Sequence, residues 1–349
     1  TVVAPVCGVS DELFIQYSNT PDADDATNLA LYSLEQNGSP MSITGASIYA
    51  EDARQVILET TSRVEDTAYI LNAFDHTLPF AEPGLHGIGL YAVTYAQATP
   101  WKNTDGSYGD FPDYYWNGTA AVRFDPVIDI SEEDMAGVDN MVFRWHGFLM
   151  PDETGTHQLD MISDDSSKIW VDGKHIMNAW FGKGELDLVP AKSSNLTADK
   201  PAALSVQMFE ALYGSQAHLK WTTPSDSSNG IIPQESFYTC FPTARTAVAS
   251  ITPVCRFNNK VRVYFKGTDL EAEKLEHTEA YQAYDDSMSP IAVTRVKVEA
   301  DKSVTLTFGQ PLTANTLYTL RAFGQKSTFT VPSGDSYGLN GSYFNQNTG

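Results

Sequence analysis

Met-Ile-Ser-Asp-Asp-Ser-Ser-Lys-Ile-Trp-Val-Asp-Gly-Lys-His-Ile-Met-Asn-Ala-Trp, residues 161–180, is the stretch that decides the fold. Residues 169–171 form a β-branched and aromatic run, and Asp172-Gly173 after them is a typical hairpin turn. The pattern therefore predicts two short antiparallel strands. The adjacent acids Asp164 and Asp165 precede the first strand, in a loop of small serines. Because two neighbouring carboxylates repel each other, a loop that keeps both is a candidate site for a hard cation such as calcium.

Five motifs in a fixed order, one at the end of this stretch and four on either side of it, together with the stretch resemble the PA-fourteen module. That module is the β-sandwich domain first described in anthrax protective antigen and also found in yeast and bacterial adhesins. The resemblance implies a β-sandwich over residues 84–245. The motifs are Gly84-Leu85-His86-Gly87-Ile88-Gly89-Leu90-Tyr91, Arg144-Trp145-His146-Gly147-Phe148-Leu149, Gly155-Thr156-His157-Gln158-Leu159, Asn178-Ala179-Trp180 and Ala217-His218-Leu219-Lys220-Trp221-Thr222-Thr223-Pro224.

The resemblance also implies a calcium site. In lectin-like members of the family the two acids are joined by a cis peptide, and a second ligand loop precedes the Ala-x-Leu-x-Trp motif. Carried over, the calcium ligands are Asp164, Asp165, the Gln216 amide oxygen and the Ala217 backbone carbonyl. This second loop is less acidic than the binding loops of ligating members. The alternative interpretation is that the two acids form a plain polar turn.

Calcium at the tip of a sandwich can accept two sugar hydroxyls, while neighbouring side chains hydrogen-bond to the sugar. The resemblance thus implies carbohydrate binding, with Trp180 and Tyr213 as possible stacking platforms. For Trp180, the alternative is that its side chain packs in the core. The predicted carbohydrate-binding residues are Asp164, Asp165, Gln216, Trp180 and Tyr213.

The segments on either side of this module resemble each other. Residues 26–34 suit a helix by composition, but they also resemble a signature of the Ig-like domains of bacterial surface-layer proteins, where it is an inter-strand segment. Pro253-Val254-Cys255 repeats Pro5-Val6-Cys7 at an offset of 248, and residues 316–323 repeat residues 67–74 at an offset of 249. The prediction is an all-β chain of Ig-like β-sandwiches alternating with a larger PA-like β-sandwich. Its domains are residues 1–80 (Ig-like), 84–245 (PA-like), 249–332 (Ig-like) and 337–349, the start of a second PA-like module.

The chain has three cysteines, Cys7, Cys240 and Cys255, whose spacing suits neither a zinc ribbon nor a redox Cys-x-x-Cys motif. The repeat favours a Cys240–Cys255 disulfide at the joint between modules. Cys7 would then pair with a cysteine of a preceding module. Three unpaired buried thiols are the alternative. A disulfide predicts an oxidising, extracellular location, secreted or at the cell surface.

Composition narrows the function classes. With 22 basic and 44 acidic residues the net charge is −22, which argues against nucleic acid and anionic membrane surfaces as partners. No apolar run is long enough to insert into a membrane, and no signal peptide is visible, as expected of a mature or excised fragment. Glycosylation sequons, which chance explains equally well, occur at Asn117, Asn195 and Asn340.

No nucleophile elbow, zinc-protease motif, phosphate loop or dinucleotide fingerprint occurs in the sequence, so we expect no enzyme. The favoured interpretation is a segment of a large secreted or cell-surface repeat protein with a calcium-dependent carbohydrate-binding module acting in adhesion. Its expected partners are glycans and neighbouring copies of the same chain. The alternatives are a purely structural unit of an extracellular fibre or stalk, and an accessory module beside a hydrolase.

Overall fold

The regular secondary structure of the described chain is almost entirely antiparallel β-sheet, as predicted, and helix is limited to short turns. The computed structural model describes residues 1–84, 87–96, 120–131, 133–134, 139–179, 192–211 and 214–332. The chain divides into two compact units, Thr1–Thr243 and Ala244–Gly349. A search of the described residues finds no helix with the length and apolar character needed to cross a membrane. The predicted start of a second PA-like module, residues 337–349, lies outside the described residues.

The first unit begins with a small sandwich of two four-stranded sheets. Its eight strands are β1 (Val2–Pro5), β2 (Glu12–Gln16), β3 (Tyr32–Gln36), β4 (Ser39–Met41), β5 (Ile43–Ile48), β6 (Gln55–Thr60), β7 (Thr67–Ala73) and β8 (His76–Glu82). One sheet has the order β1-β2-β6-β5 and the other β4-β3-β7-β8. A short helix, α1 (Ala23–Ala26), and a 3-10 turn at Leu29–Leu31 connect β2 to β3, so the predicted inter-strand segment starts in turns.

A larger sandwich completes the first unit. Its strands are β9 (Leu90–Ala96), β10 (Ala120–Asp125), β11 (Asp129–Ile130), β12 (Met141–Leu149), β13 (Gly155–Asp164), β14 (Ser166–Val171), β15 (Lys174–Ala179), β16 (Ser193–Leu196), β17 (Ala202–Glu210), β18 (Gln216–Thr222), β19 (Gly230–Ile231) and β20 (Phe237–Tyr238). The larger sheet has the order β10-β9-β12-β17-β14-β15, with β20 beside β12. The smaller sheet has the order β11-β18-β13-β16, with β19 beside β18. The predicted Asp172-Gly173 hairpin joins β14 to β15.

The two sheets of this sandwich enclose one apolar core. Strand β17 is buried along its whole length, since it lies between β12 and β14 in the middle of the larger sheet. Trp145 is fully buried in this core, and its indole N–H donates to Asp125 Oδ2 at 2.7 Å. Leu159 and Leu219 face it from the smaller sheet. The core therefore fixes which residues of each strand can reach the ends of the sandwich.

The second unit is a sandwich with the same strand order as the first small one. Its strands are β21 (Val248–Pro253), β22 (Lys260–Phe265), β23 (Tyr281–Tyr284), β24 (Pro290–Ile291), β25 (Val293–Val298), β26 (Val304–Phe308), β27 (Leu317–Ala322) and β28 (Gln325–Thr330), with α2 (Ala272–Leu275) after β22. The sheets are β21-β22-β26-β25 and β24-β23-β27-β28. In each sandwich a tyrosine hydroxyl accepts from a backbone N–H five residues upstream, at 2.7 Å in Tyr69 and 2.6 Å in Tyr318. Such tyrosine corners are typical of Ig-type sandwiches.

The disulfide joins Cys7 to Cys240, so the predicted Cys240–Cys255 pair is wrong. Val6 pairs with Phe241 in a parallel bridge, and the Cys7 N–H donates to the Phe241 carbonyl at 2.9 Å. This pairing brings the end of the larger sandwich to the first strand of the chain, with the two cysteine Cα atoms 5.0 Å apart. The prediction was based on the short separation between Cys240 and Cys255 in the sequence, whereas the bonded cysteines are 233 residues apart. Cys255 is an exposed free thiol.

His146 connects the two sandwiches of the first unit and gives a testable pH dependence. Its Nε2 accepts from the Ala81 N–H of β8 at 3.0 Å, and burial lowers the pKa of the imidazole to about 4. An unfolded histidine titrates at about 6.5, so the unfolded chain takes up a proton first as the pH falls. Between pH ~6.5 and ~4 this site should remove about 3 kcal/mol of unfolding free energy.

Denaturant unfolding of wild type and His146→Gln at pH 7, 5.5 and 4 tests this expectation. The variant should lose less stability on acidification than the wild type, because an amide at this position does not titrate. His76→Gln, at an exposed histidine of the first small sandwich, is the control variant. Parallel pH profiles for wild type and His146→Gln would contradict the expectation.

Candidate functional site

Three connections cross between the two sheets of the larger sandwich at the same end. Strand β11 ends at Ile130 and β12 begins at Met141, while β17 ends at Glu210 and β18 begins at Gln216. Ile130 pairs with Ala217 and Met141 pairs with Glu210, which places both connections side by side. The β13–β14 connection lies between them, because Asp164 pairs with Gln216. We call this end of the sandwich the loop rim.

The β13–β14 connection is a single residue, Asp165, between Asp164 in the smaller sheet and Ser166 in the larger sheet. The Asp164–Asp165 peptide bond is cis, as the family resemblance implies. The Ser163 hydroxyl donates to the Asp165 carbonyl at 3.1 Å and contacts the Ser167 hydroxyl at 2.8 Å. Buried serines thus hold the turn, and we call the pair Asp164–Asp165 the acidic corner.

The acidic corner is tied to the next connection. Asp165 Oδ2 accepts from the Ala211 N–H at 2.8 Å, directly after β17. Gln216 lies opposite Asp164 in the antiparallel register, and side chains at paired positions point to the same side of a sheet. The structure therefore brings three of the predicted ligand residues, Asp164, Asp165 and Gln216, to one place.

Gln216 and Ala217 lie in β18, although the family resemblance implies a loop at these positions. The Gln216 Oε1 is 3.2 Å from His218 Nε2, and His218 Nδ1 is 2.6 Å from Asp129 Oδ1. This chain of contacts holds the amide of Gln216 from the side of β11. Ala217 is fully buried, with Ser163 and Ile130 beside it in the sheet.

Glu210 is a rim residue that the sequence analysis missed. It is fully buried at the end of β17. Burial first, and then the neighbouring Asp165 and Asp164 charges, raise the pKa of this carboxyl to about 8. The available signal in the sequence was a glutamate at the end of a nine-residue run in which only Ser205 and Gln207 are also polar.

An all-oxygen set of donors that includes two carboxylates suits a hard cation such as calcium better than a soft metal. Among the described residues, no group of three or more His, Cys, Asp or Glu side chains is gathered as a metal cluster. The acidic corner supplies two carboxylates, so any ion there would depend on amide or carbonyl oxygens for further ligands.

The other predicted site residues divide into two groups. Trp180, Tyr213, Asn117 and Asn340 lie outside the described residues. Asn195 is exposed on β16, where its Oδ1 accepts from the Thr156 hydroxyl at 2.9 Å. This exposure leaves the sequon accessible, and its glycosylation stays a prediction.

Residues 101–235 match the family model of the PA14 domain. The matched range falls within the larger sandwich, whose strands run from Leu90 to Tyr238. A curated relative, the anti-sigma-I factor RsgI3 of Acetivibrio thermocellus, is 26% identical over 122 residues, which are 34% of this chain and 18% of that protein. Because the match spans about a fifth of this relative, it concerns one module of a longer protein.

Two solved structures are similar to this chain at low sequence identity. The PA14 sugar-binding domain of an RTX adhesin is 16% identical, with 44% of this chain and 99% of that chain covered and a TM-score of 0.35. The epithelial adhesin 6 A domain of Candida glabrata, solved in complex with Galβ1-3GlcNAc, is 14% identical, with 46% and 95% covered and a TM-score of 0.36.

Proposed function

We propose that this chain is part of a secreted or cell-surface repeat protein whose PA14 domain binds carbohydrate in a calcium-dependent manner and acts in adhesion. The acidic corner at the loop rim is the observation that carries the proposal. Two adjacent carboxylates, braced by Ser163 and by the Ala211 N–H, face Gln216 across the strand register. The PA14 match to residues 101–235 supports the same module.

Asp164, Asp165 and the Gln216 amide would hold the ion at the loop rim. Bound calcium would offer positions for two sugar hydroxyls and would offset the negative charge of the corner. The His218–Gln216 contact orients the amide of Gln216, which lies opposite Asp164 in the strand register. The role proposed for the module is binding, without catalysis.

A glycan array probed with the full chain, in calcium and again in chelator, tests the proposal. The first unit should be kept whole, because Cys7 and Cys240 join its two sandwiches. Binding should be present with calcium and absent with chelator, and Asp164→Ala should abolish it by removing a direct ligand. Asp160→Asn removes one charge from the same strand, four residues away, and should retain binding.

The rival function is a structural unit of an extracellular fibre or stalk. The disulfide and the shared cluster of Phe14, Phe148 and Phe241 favour it, because they make the first unit a single body. A folded wild-type chain that binds no glycan in either condition would support this rival and contradict the carbohydrate proposal. Calcium binding measured by calorimetry without glycan binding would leave calcium as a stiffening ion.

A further inference from the structure

Cys255 occupies in the second unit the position that Cys7 has in the first. Both cysteines follow a Pro-Val pair directly after the first strand of a sandwich, at an offset of 248. In both copies the N–H of the valine before the cysteine donates to the carbonyl six residues later, at 3.2 Å in the first unit and 3.0 Å in the second. The residue after each cysteine has a positive φ, 83° at Gly8 and 68° at Arg256. The second unit therefore keeps this local conformation even where a non-glycine residue has to adopt it.

In the first unit this position attaches the larger sandwich. Cys7 is bonded to Cys240. The Cys7 N–H donates to the Phe241 carbonyl at 2.9 Å, and the Phe241 N–H donates to the Pro5 carbonyl at 2.8 Å. Residues 2–10 are all buried. A covalent bond and two backbone hydrogen bonds thus hold the end of the larger sandwich against the segment that carries Cys7.

In the second unit the corresponding segment is open to solvent. None of residues 250–258 is buried, and Cys255 is an exposed free thiol. Phe257 is 50% exposed, whereas Val9 at the corresponding position is 4% exposed. Cysteine and phenylalanine are among the side chains most often buried in proteins. Their joint exposure, at a position that is covered in the first copy, indicates a surface that a partner covers.

The sheet face beside Cys255 differs in chemistry from its counterpart. In the first unit Phe14 stacks on Phe241, with 3.9 Å between the ring centroids. Arg262 stands at the position of Phe14 in the second unit, with its Nη2 3.5 Å from Glu299 Oε1. A guanidinium can also stack on an aromatic ring, so a phenylalanine in the position of Phe241 would still find a contact there. Such a joint would bury less apolar surface and depend more on its covalent bond.

We propose that Cys255 attaches a further sandwich of the PA14 type, through a disulfide to the cysteine that corresponds to Cys240 in that sandwich. The occupant is the module whose opening motif begins at Gly338, because residues 338–341 repeat the Gly-Leu-x-Gly of residues 84–87. The bond joins the two Sγ atoms, and the two protons and two electrons pass to a small-molecule disulfide such as oxidised glutathione, which is reduced to two thiols. This inference does not depend on calcium or carbohydrate binding.

A tandem chain supplies the proposed occupant with a defined sequence. It consists of residues 1–337 followed by a second copy of residues 84–248, so that the copy begins at the position of Gly338. Ser227→Ala in the added copy, at an exposed serine, marks the cysteine peptide of that copy by its mass. The chain is oxidised in a glutathione buffer, alkylated and mapped by its peptides.

The marked Cys240 should be recovered linked to Cys255, and alkylation should label no cysteine. At equilibrium the effective concentration of the two thiols should exceed the millimolar value typical of a flexible tether, because the attached segments align them. The Cys7–Cys240 bond, recovered in the same map, shows that the tandem chain is folded.

The matched control moves the thiol along the same exposed segment, by combining Cys255→Ser with Ser250→Cys. This variant should give an effective concentration at least about tenfold lower, since only the position of Cys255 reproduces the first joint. Alkylation of both Cys255 and the marked Cys240 in the folded tandem chain would overturn the inference. An equal effective concentration in the control would also overturn it, because the tether alone would then account for the bond.

Discussion

Replacing Glu82 with alanine should lower the unfolding free energy of the first unit by about 3–5 kcal/mol. Glu82 Oε2 lies 2.9 Å from Arg63 Nε, and both side chains are at most 1% exposed. Arg63 also donates to the Thr60 hydroxyl at 2.7 Å and to the Glu12 carbonyl at 2.8 Å. The variant would leave a guanidinium in the interior without its anion, which costs more than a lost surface pair.

Tryptophan fluorescence during urea unfolding measures this effect on the first unit alone, because all six tryptophans precede residue 244. Asp52→Ala is the matched control, since the Asp52–Arg54 pair has a similar length, 2.6 Å, but both side chains are 27% exposed. Its cost should stay below about 1 kcal/mol. The double variant Arg63→Met with Glu82→Leu should recover part of the loss. A Glu82→Ala cost no larger than the Asp52→Ala cost would contradict the prediction.

Local sequence patterns predicted the parts of this fold that depend on neighbours in the chain. The hairpin at Asp172-Gly173 follows from turn chemistry, and the strands on either side follow from their β-branched and aromatic residues. The acidic corner was predicted because two adjacent acids are conspicuous in the sequence. Its cis peptide came from the family resemblance and is present in the structure.

The remaining features depend on which distant strands meet. Glu210 reads in sequence as an ordinary acid at the end of a strand, and only the β12-β17-β14 order shows that it is buried. Gln216 was expected in a loop, but pairing with Asp164 extends β18 to include it. The His218–Asp129 contact joins residues 89 positions apart, which no local pattern reveals. The residues that surround the loop rim therefore depend on pairing between strands that are distant in the sequence.

Removal of the Cys7–Cys240 disulfide should destabilise the first unit by about 2–5 kcal/mol. The cysteines are 233 residues apart, so the bond closes almost the whole unit into one loop and restricts the unfolded chain strongly. Cys7→Ser and Cys240→Ser should therefore unfold at lower urea concentration than wild type under non-reducing conditions. Cys255→Ser, which changes an exposed free thiol, should match wild type.

Two further measurements distinguish this disulfide from the alternative Cys240–Cys255 pair. Alkylation of the native chain should label Cys255 alone, and peptide mapping should recover residues 7 and 240 in one cross-linked fragment. Reducing agent should bring wild type to the stability of Cys7→Ser and leave that variant unchanged. Equal destabilisation by Cys255→Ser would contradict the pairing. Phe14 stacks on Phe241 beside the bond, with 3.9 Å between the ring centroids, so the reduced unit should keep its fold. Without the covalent link, its two sandwiches should separate more readily.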